Sequence, residues 1–178
     1  MIGIVPIGKV DEFTLKVIAA HITGYLHLEA ELYSSLENPV SAYDSLRMQY
    51  DAGKIITHLE SKIYKSCAKI IGIFNDDIFV PIFTHVFGEA RQGGGHALVS
   101  LYRLDSSLRG KEIPHTFLAE RASKVALHEL GHLFNLSHCQ DELCIMHFSS
   151  DLTCLDKIPF YFCRCCSYTF KKNMDMYG

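Results

Sequence analysis

Apolar residues are spaced along the chain in two periods, one that suits strands and one that suits helices. Ile2–Ile7 is an unbroken apolar run with the length of a buried strand. From Phe13 to Tyr33 the spacing becomes helical, through Phe13, Val17, Ala20, Tyr25, Leu28 and Leu32, with Asp11 placed to cap it. Asn38-Pro39 breaks the pattern. Arg47 to Tyr64 predicts a second helix that buries Tyr50, Ile55, Leu59 and Ile63. Ala68–Phe74 is apolar, β-branched and bounded by Asn75-Asp76-Asp77, which reads as a strand and then a turn. Ile78–Phe87 is a further β-rich stretch, and Pro81 within it suits an edge position. After the flexible turn Gln92-Gly93-Gly94-Gly95, His96–Leu104 predicts a strand whose edge can meet an extended peptide. Phe117 to Phe134 is helical again through Leu118, Ala122, Val125, Leu130 and Leu133, and beyond Leu136 regular spacing ends.

This order predicts one α/β (α+β) domain over 1–178, with no linker long enough to divide it. Residues 1–116 would supply sheet and helices, 117–138 a site-bearing helix and the turn after it, and 139–178 a cysteine-rich segment. Composition narrows the function class. The chain is 48% hydrophobic and 21% charged with net charge −3, which leaves no electrostatic footprint for nucleic acid or an anionic membrane. No apolar run reaches the roughly 18–20 residues that span a bilayer. The apolar N-terminus has no basic region and no small-residue cleavage site, so a cytoplasmic monomer is expected. No inhibitory pro-segment is expected before the first strand.

The sharpest chemistry lies in His128-Glu129-Leu130-Gly131-His132, followed by His138. On a helix, positions i and i+4 share a face, so two imidazoles can bind one ion without bending the backbone. Glu129, about 100° round the helix, reaches instead toward the ion's open side. For His138 to join as third ligand the chain must turn back, and Asn135 stands where a left-handed helix stop is needed. Three neutral imidazoles on zinc leave a fourth position for water, whose pKa falls to near ~7. Glu129 is then the general base that takes the water's proton and returns it to the departing amine of a peptide bond.

Seven cysteines are present, six of them between Cys139 and Cys166. Cys139-x4-Cys144 and Cys163-x2-Cys166 suit a closed, structural tetrahedral zinc. The alternatives are a Cys139–Cys144 disulfide or unrelated thiols, and Cys165 could replace Cys166 as ligand. Cys67 and Cys154 stand apart and read equally well as buried packing thiols. Because Cys139 follows His138 directly, the two sites would share a backbone hinge.

The histidine motif resembles the metzincins, whose H-E-x-x-H-x-x-G-x-x-H is followed by a methionine turn; Met146 matches that methionine. The interleaved cysteines resemble one branch, the archaemetzincins, through Cys139, Cys144, Met146, Cys163 and Cys166. The resemblance extends upstream to Phe87-Gly88-Glu89-Ala90 and the Gly-rich turn after it, and more faintly to Arg47-Met48-Gln49-Tyr50. The chain departs from the pattern in Asn135, which replaces a glycine, and in a Met146–Cys163 interval one residue short. The resemblance implies a zincin-like fold with a deep cleft, a catalytic zinc and a second zinc on four cysteines. It also implies a metalloprotease of unknown natural substrate. Short peptides or free N-termini are the expected substrates. A catalytically silent zinc-stabilised binding module and a hydrolase of non-peptide amides are the alternatives. Which tyrosine (Tyr102, Tyr161 or Tyr168) would support the oxyanion stays open, and Glu89 is either a cleft-lining carboxylate or, the commoner case, an exposed carboxylate beside a glycine turn.

Overall fold

The unbroken apolar runs bury both of their faces. In a computed structural model, which describes residues 1–64, 67–105 and 114–177, they form the middle of a five-stranded sheet. Its strands are β1 (Ile2–Ile7), β2 (Ala30–Leu32), β5 (Lys69–Phe74), β7 (Gly88–Ala90) and β8 (His96–Ser100), in the order β2-β1-β5-β8-β7. Every pairing is parallel except the last, β7 against β8. A smaller sheet of β3 (Tyr43–Asp44), β4 (Gln49–Asp51) and β6 (Ile78–Phe79) has the order β3-β4-β6. Side chains of the large sheet alternate between two cores. Ile71, Ile73, Ala97 and Val99 pack with helices α1 (Glu12–His21) and α3 (His115–Leu133), and Ile70, Phe74 and Leu98 with α2 (Ala52–Glu60). Parallel strands covered by helices on both faces need continuous apolar runs, and that explains the sequence pattern.

Both early helices are shorter than their apolar spacing predicts. Asp11 caps α1 as expected, its carboxylate accepting from the Thr14 N–H at 3.0 Å. The helix then widens into a π-helical turn, Ile22–Leu26, and His27 stops it with φ +57°. Residues 30–32 leave the helix because the edge of β1 needs hydrogen-bond partners, which a third-period pattern cannot reveal. In the second stretch Asp51 caps α2, so Tyr50 lies in a strand and Ile63 is 89% exposed. The expected strand at 78–87 is pairing at Ile78–Phe79 and then a turn at Pro81. The expected strand at 96–104 ends at Ser100. It lies between β5 and β7, so its edge is not free, and the edge strand is β7.

The C-terminal segment is more regular than expected. It contains α4 (Leu152–Lys157) and α5 (Arg164–Tyr177). Phe170 of α5 is buried, 4.8 Å from Phe134 and 5.0 Å from Phe162 between ring centroids. Asn173 donates its side-chain N–H to the Phe134 carbonyl at 2.7 Å, which satisfies an orphan acceptor at the end of α3. A segment read as a loop held by metal is thus also a helix that clamps the site-bearing helix.

Candidate metal centre

Helix α3 ends where the sequence says it must. Phe134 closes the helix and Asn135 takes φ +62°. The Asn135 N–H returns to the His132 carbonyl at 2.9 Å, and the Leu136 N–H to the Gly131 carbonyl at 3.0 Å, the paired bonds of a Schellman stop. The glycine turn grips the same end. The Gly93 N–H donates to the His132 carbonyl at 2.8 Å, and Gln92 donates to the Leu136 carbonyl at 3.0 Å. The reversal brings His138 back onto His128 and His132.

The three imidazoles converge on a point. His132 Nε2 lies 3.1 Å from His128 Nε2 and 3.3 Å from His138 Nε2. A tetrahedral ion with zinc–nitrogen bonds of about 2.0–2.1 Å holds its nitrogens about 3.3 Å apart. Tautomers point the same way. His128 Nδ1 donates to the Ile145 carbonyl at 2.8 Å and His132 Nδ1 to the Leu136 carbonyl at 2.7 Å, so both Nε2 atoms keep lone pairs directed at one spot. Burial, and then the neighbouring His132, pulls His128 down to about 3; burial lowers His132 and His138 as well. All three are therefore held neutral, the form that binds a metal.

Glu129 is 6% exposed and packs against the edge strand. A Cβ on Gly88 would stand 2.6 Å from its Oε1 and 2.8 Å from its Cγ, so only glycine leaves the carboxylate room there. Burial first, and the nearby Glu89 carboxylate second, push the Glu129 carboxyl well above its ordinary range. Glu89 itself is half-buried and lines the cleft, which selects that reading over the commoner one of an exposed turn residue. Beneath the histidines Met146 is fully buried, and a Cβ on Gly131 would overlap its sulfur.

Cys139, Cys144, Cys163 and Cys166 form a second cluster, with sulfur atoms all within 4.8 Å of one another. Cys139 Sγ is 3.8 Å from Cys163 Sγ. A zinc–sulfur bond of about 2.3 Å gives a tetrahedral sulfur separation of about 3.8 Å, whereas a disulfide needs about 2.0 Å. Cys165 is exposed and outside the cluster, and the half-buried Cys67 and Cys154 lie outside it as well. Thiol burial pushes Cys144 up to about 11, while the Cys166 N–H and neighbouring thiols hold Cys163 below its ordinary value. The segment between Cys144 and His147 serves both clusters. Cys144 carries a sulfur, Ile145 orients His128, and Met146 accepts the Cys139 N–H at 2.8 Å.

A cleft of about 490 Å³ runs past the histidines and Glu129. Val125, Ile145, Leu155 and Ile158 make its apolar wall, and His147, Phe83 and Phe148 also line it. His147 escaped the sequence reading, although its Nδ1 donates to the Cys139 carbonyl at 3.1 Å and its position one past Met146 was a usable signal. None of Tyr102, Tyr161 and Tyr168 is among the lining residues.

The pattern of peptidase family M54 matches residues 10–172. The chain belongs to this family. It is 35% identical over 175 residues to the archaemetzincin of Pyrococcus furiosus, spanning 93% of this chain and 90% of that protein. Against the archaemetzincin of Thermococcus kodakarensis it is 33% identical over 99% of this chain and 98% of that one. The crystal structure of the Methanopyrus kandleri archaemetzincin superposes with a TM-score of 0.86 at 29% identity, covering 98% and 96% of the two chains. A zinc-dependent peptidase from Methanocorpusculum labreanum superposes with a TM-score of 0.87 at 26% identity, covering 96% and 100%. M54 membership makes the chain a zinc metallopeptidase, and the archaemetzincin resemblance and the mixed α/β fold expected from its sequence are borne out.

Proposed function

We propose that this M54 peptidase is a metzincin that hydrolyses short peptides, with a catalytic zinc on His128, His132 and His138 and a second, structural zinc on Cys139, Cys144, Cys163 and Cys166. The convergence of three Nε2 lone pairs at metal-ligand spacing, beside a buried carboxylate, carries the reading. Zinc bound there would polarise the scissile carbonyl and make water a nucleophile near neutral pH. Glu129 takes a proton from the attacking water and hands it to the departing amine. Its raised proton affinity suits the second half of that transfer, because an acid must hold the proton before giving it up. Met146, under Gly131, serves as the methionine turn that supports the histidine platform.

Substrate would lie along β7. The Phe87 carbonyl accepts from the Ser100 N–H and the Arg91 N–H donates to the His96 carbonyl, so these residues spend their backbone groups on β8. In an antiparallel ladder the alternate residues, Gly88 and Ala90, turn theirs to the open side, where an extended peptide can pair. Net charge −3 favours neither nucleic acid nor an anionic membrane as partner, and a cytoplasmic monomer belongs to the same proposal. Among the described residues no helix is long and apolar enough to cross a membrane.

A screen of short peptides and simple amides, with and without chelator and beside Glu129→Ala, tests this. Hydrolysis of peptides that chelator and Glu129→Ala both abolish is the expected result. Turnover of amides alone would make the protein a non-peptide hydrolase. Partner binding without turnover, unchanged by Glu129→Ala, would make it a zinc-stabilised binding module.

A further inference from the structure

The turn between β7 and β8 reaches across to the end of α3. Its backbone folds on itself, the Gly94 N–H donating to the Arg91 carbonyl at 2.7 Å, and Gly93 takes φ +65°. Two cations fix this tip from outside the hairpin's own ladder. Lys69, buried on β5, donates its ammonium to the Gly94 carbonyl at 2.7 Å and lies 5.3 Å from the ring centroid of Phe134. Arg91 donates to the Gly53 carbonyl and the Thr57 hydroxyl of α2 at 3.3 and 3.2 Å. Peptide hydrolysis as proposed above uses neither cation.

What the tip touches is the support of a metal ligand. The Leu136 carbonyl accepts from His132 Nδ1 at 2.7 Å and from Gln92 Nε2 at 3.0 Å, one donor for each lone pair. The same amide approaches Asn135 Oδ1 at 3.4 Å, and the Gly93 N–H holds the His132 carbonyl at 2.8 Å. A hydrogen bond aims an imidazole only as well as its acceptor is held. Leu136 lies past the end of α3 in a stretch that belongs to no helix or strand, so no regular element keeps its carbonyl in place. Gln92 supplies that restraint from the neighbouring hairpin.

Resting on the histidine zinc proposed above, we infer that the β7–β8 turn is a latch on the hinge between the second and third ligands. Gln92 is its positioning residue, aiming His132 through the carbonyl that the two side chains share. The same hairpin meets the site at both ends. At its start Gly88 packs on Glu129, and at its tip Gln92 and Gly93 hold the hinge, so base, ligand and edge strand keep one register.

The test is zinc affinity at the histidines, read by chelator competition on folded protein, with His128→Gln as the blank that reports zinc at the cysteines alone. Gln92 is exposed, so its replacement removes little packing and the variants should fold. Gln92→Ala should weaken histidine zinc about tenfold, the lower end of what losing an outer partner of a metal-bound histidine costs. Gln92→Met, which keeps the size and loses both N–H donors, should weaken it as much. Asp11→Ala, which removes the α1 cap, should lower the melting temperature and leave zinc affinity unchanged. Wild-type affinity in Gln92→Met, or a fall in Asp11→Ala as large as in Gln92→Ala, would overturn the inference. Two zincs in wild type with unchanged affinity in both Gln92 variants would overturn it and leave the histidine centre standing. A single zinc in wild type, held by the cysteines, would refute the centre and the inference together.

Discussion

Replacing Gly88 by alanine isolates the role of Glu129 without touching it. The added Cβ would lie 2.6 Å from Oε1, 2.8 Å from Cγ and 2.9 Å from Cδ of Glu129. Ordinary contacts of this kind settle at about 3.5–4.0 Å, so the carboxylate must retreat by roughly 1 Å. Glu129 is buried except where it faces the cleft, so the shift carries its carboxylate away from the place it holds beside the edge strand. A catalytic group displaced by about 1 Å loses on the order of 100-fold in rate, equivalent to about 2.7 kcal/mol of barrier. The fold should hardly notice, because Gly88 has an ordinary negative φ and alanine suits a strand better than glycine by about 0.5–1 kcal/mol. Gly88→Ala should therefore keep its zinc content and melt within a few degrees of wild type while kcat on short peptides drops about 100-fold. Full activity in a zinc-replete Gly88→Ala protein would refute the placement of Glu129 as base.

Three further outcomes follow from the same geometry. Cys166→Ser should lower bound zinc by one ion per chain and weaken zinc at the histidines through the shared 144–147 segment, whereas Cys165→Ser should change neither; metal analysis by mass spectrometry distinguishes them. Asn135→Gly should be neutral or stabilising by up to about 1 kcal/mol in chemical denaturation, because glycine enters the left-handed region freely, and Asn135→Val should destabilise by at least as much. The pH dependence of the metal-free protein follows from His128, whose folded-state pKa of about 3 lies below its unfolded value of ~6.5. The unfolded chain binds that proton first, so the stabilising effect of neutral His128 is full above pH ~6.5 and is lost as pH falls toward 3. Glu129, raised by burial, acts in the opposite sense, losing stability as pH rises above ~4.5. The stability difference between wild type and His128→Gln should thus be about 2 kcal/mol more favourable to wild type at pH 7 than at pH 4.5. An unchanged difference would show that burial does not hold His128 neutral.

What could be read from the sequence was local chemistry. A one-turn spacing places His128 and His132, a left-handed residue at Asn135 turns the chain, and two close cysteine pairs select four sulfurs, each being a rule about neighbours in sequence. The edges of the sheet were not legible. Residues 30–32 and 49–51 sit in helix-like patterns but pair with β1 and β6, because unpaired backbone groups on a distant strand outweigh local propensity. Gly88 was visible only as a glycine, since its purpose is set by Glu129, 41 positions away. The same holds for Phe83 and Phe148, 65 positions apart and in contact across the cleft. Helix α5 was hidden by the cysteines at its start, whose metal-ligand spacing drew attention from the buried Phe170 and Asn173 on one face.

Anomalous scattering at the zinc edge from crystals of zinc-loaded protein bears most directly on the central claim. Two peaks per chain are expected. One should lie about 2.0–2.1 Å from the Nε2 atoms of His128, His132 and His138, and the other about 2.3 Å from the sulfurs of Cys139, Cys144, Cys163 and Cys166. No peak among the three histidines would contradict the catalytic centre, and a histidine peak without one at the cysteines would reduce the four-sulfur cluster to packed thiols.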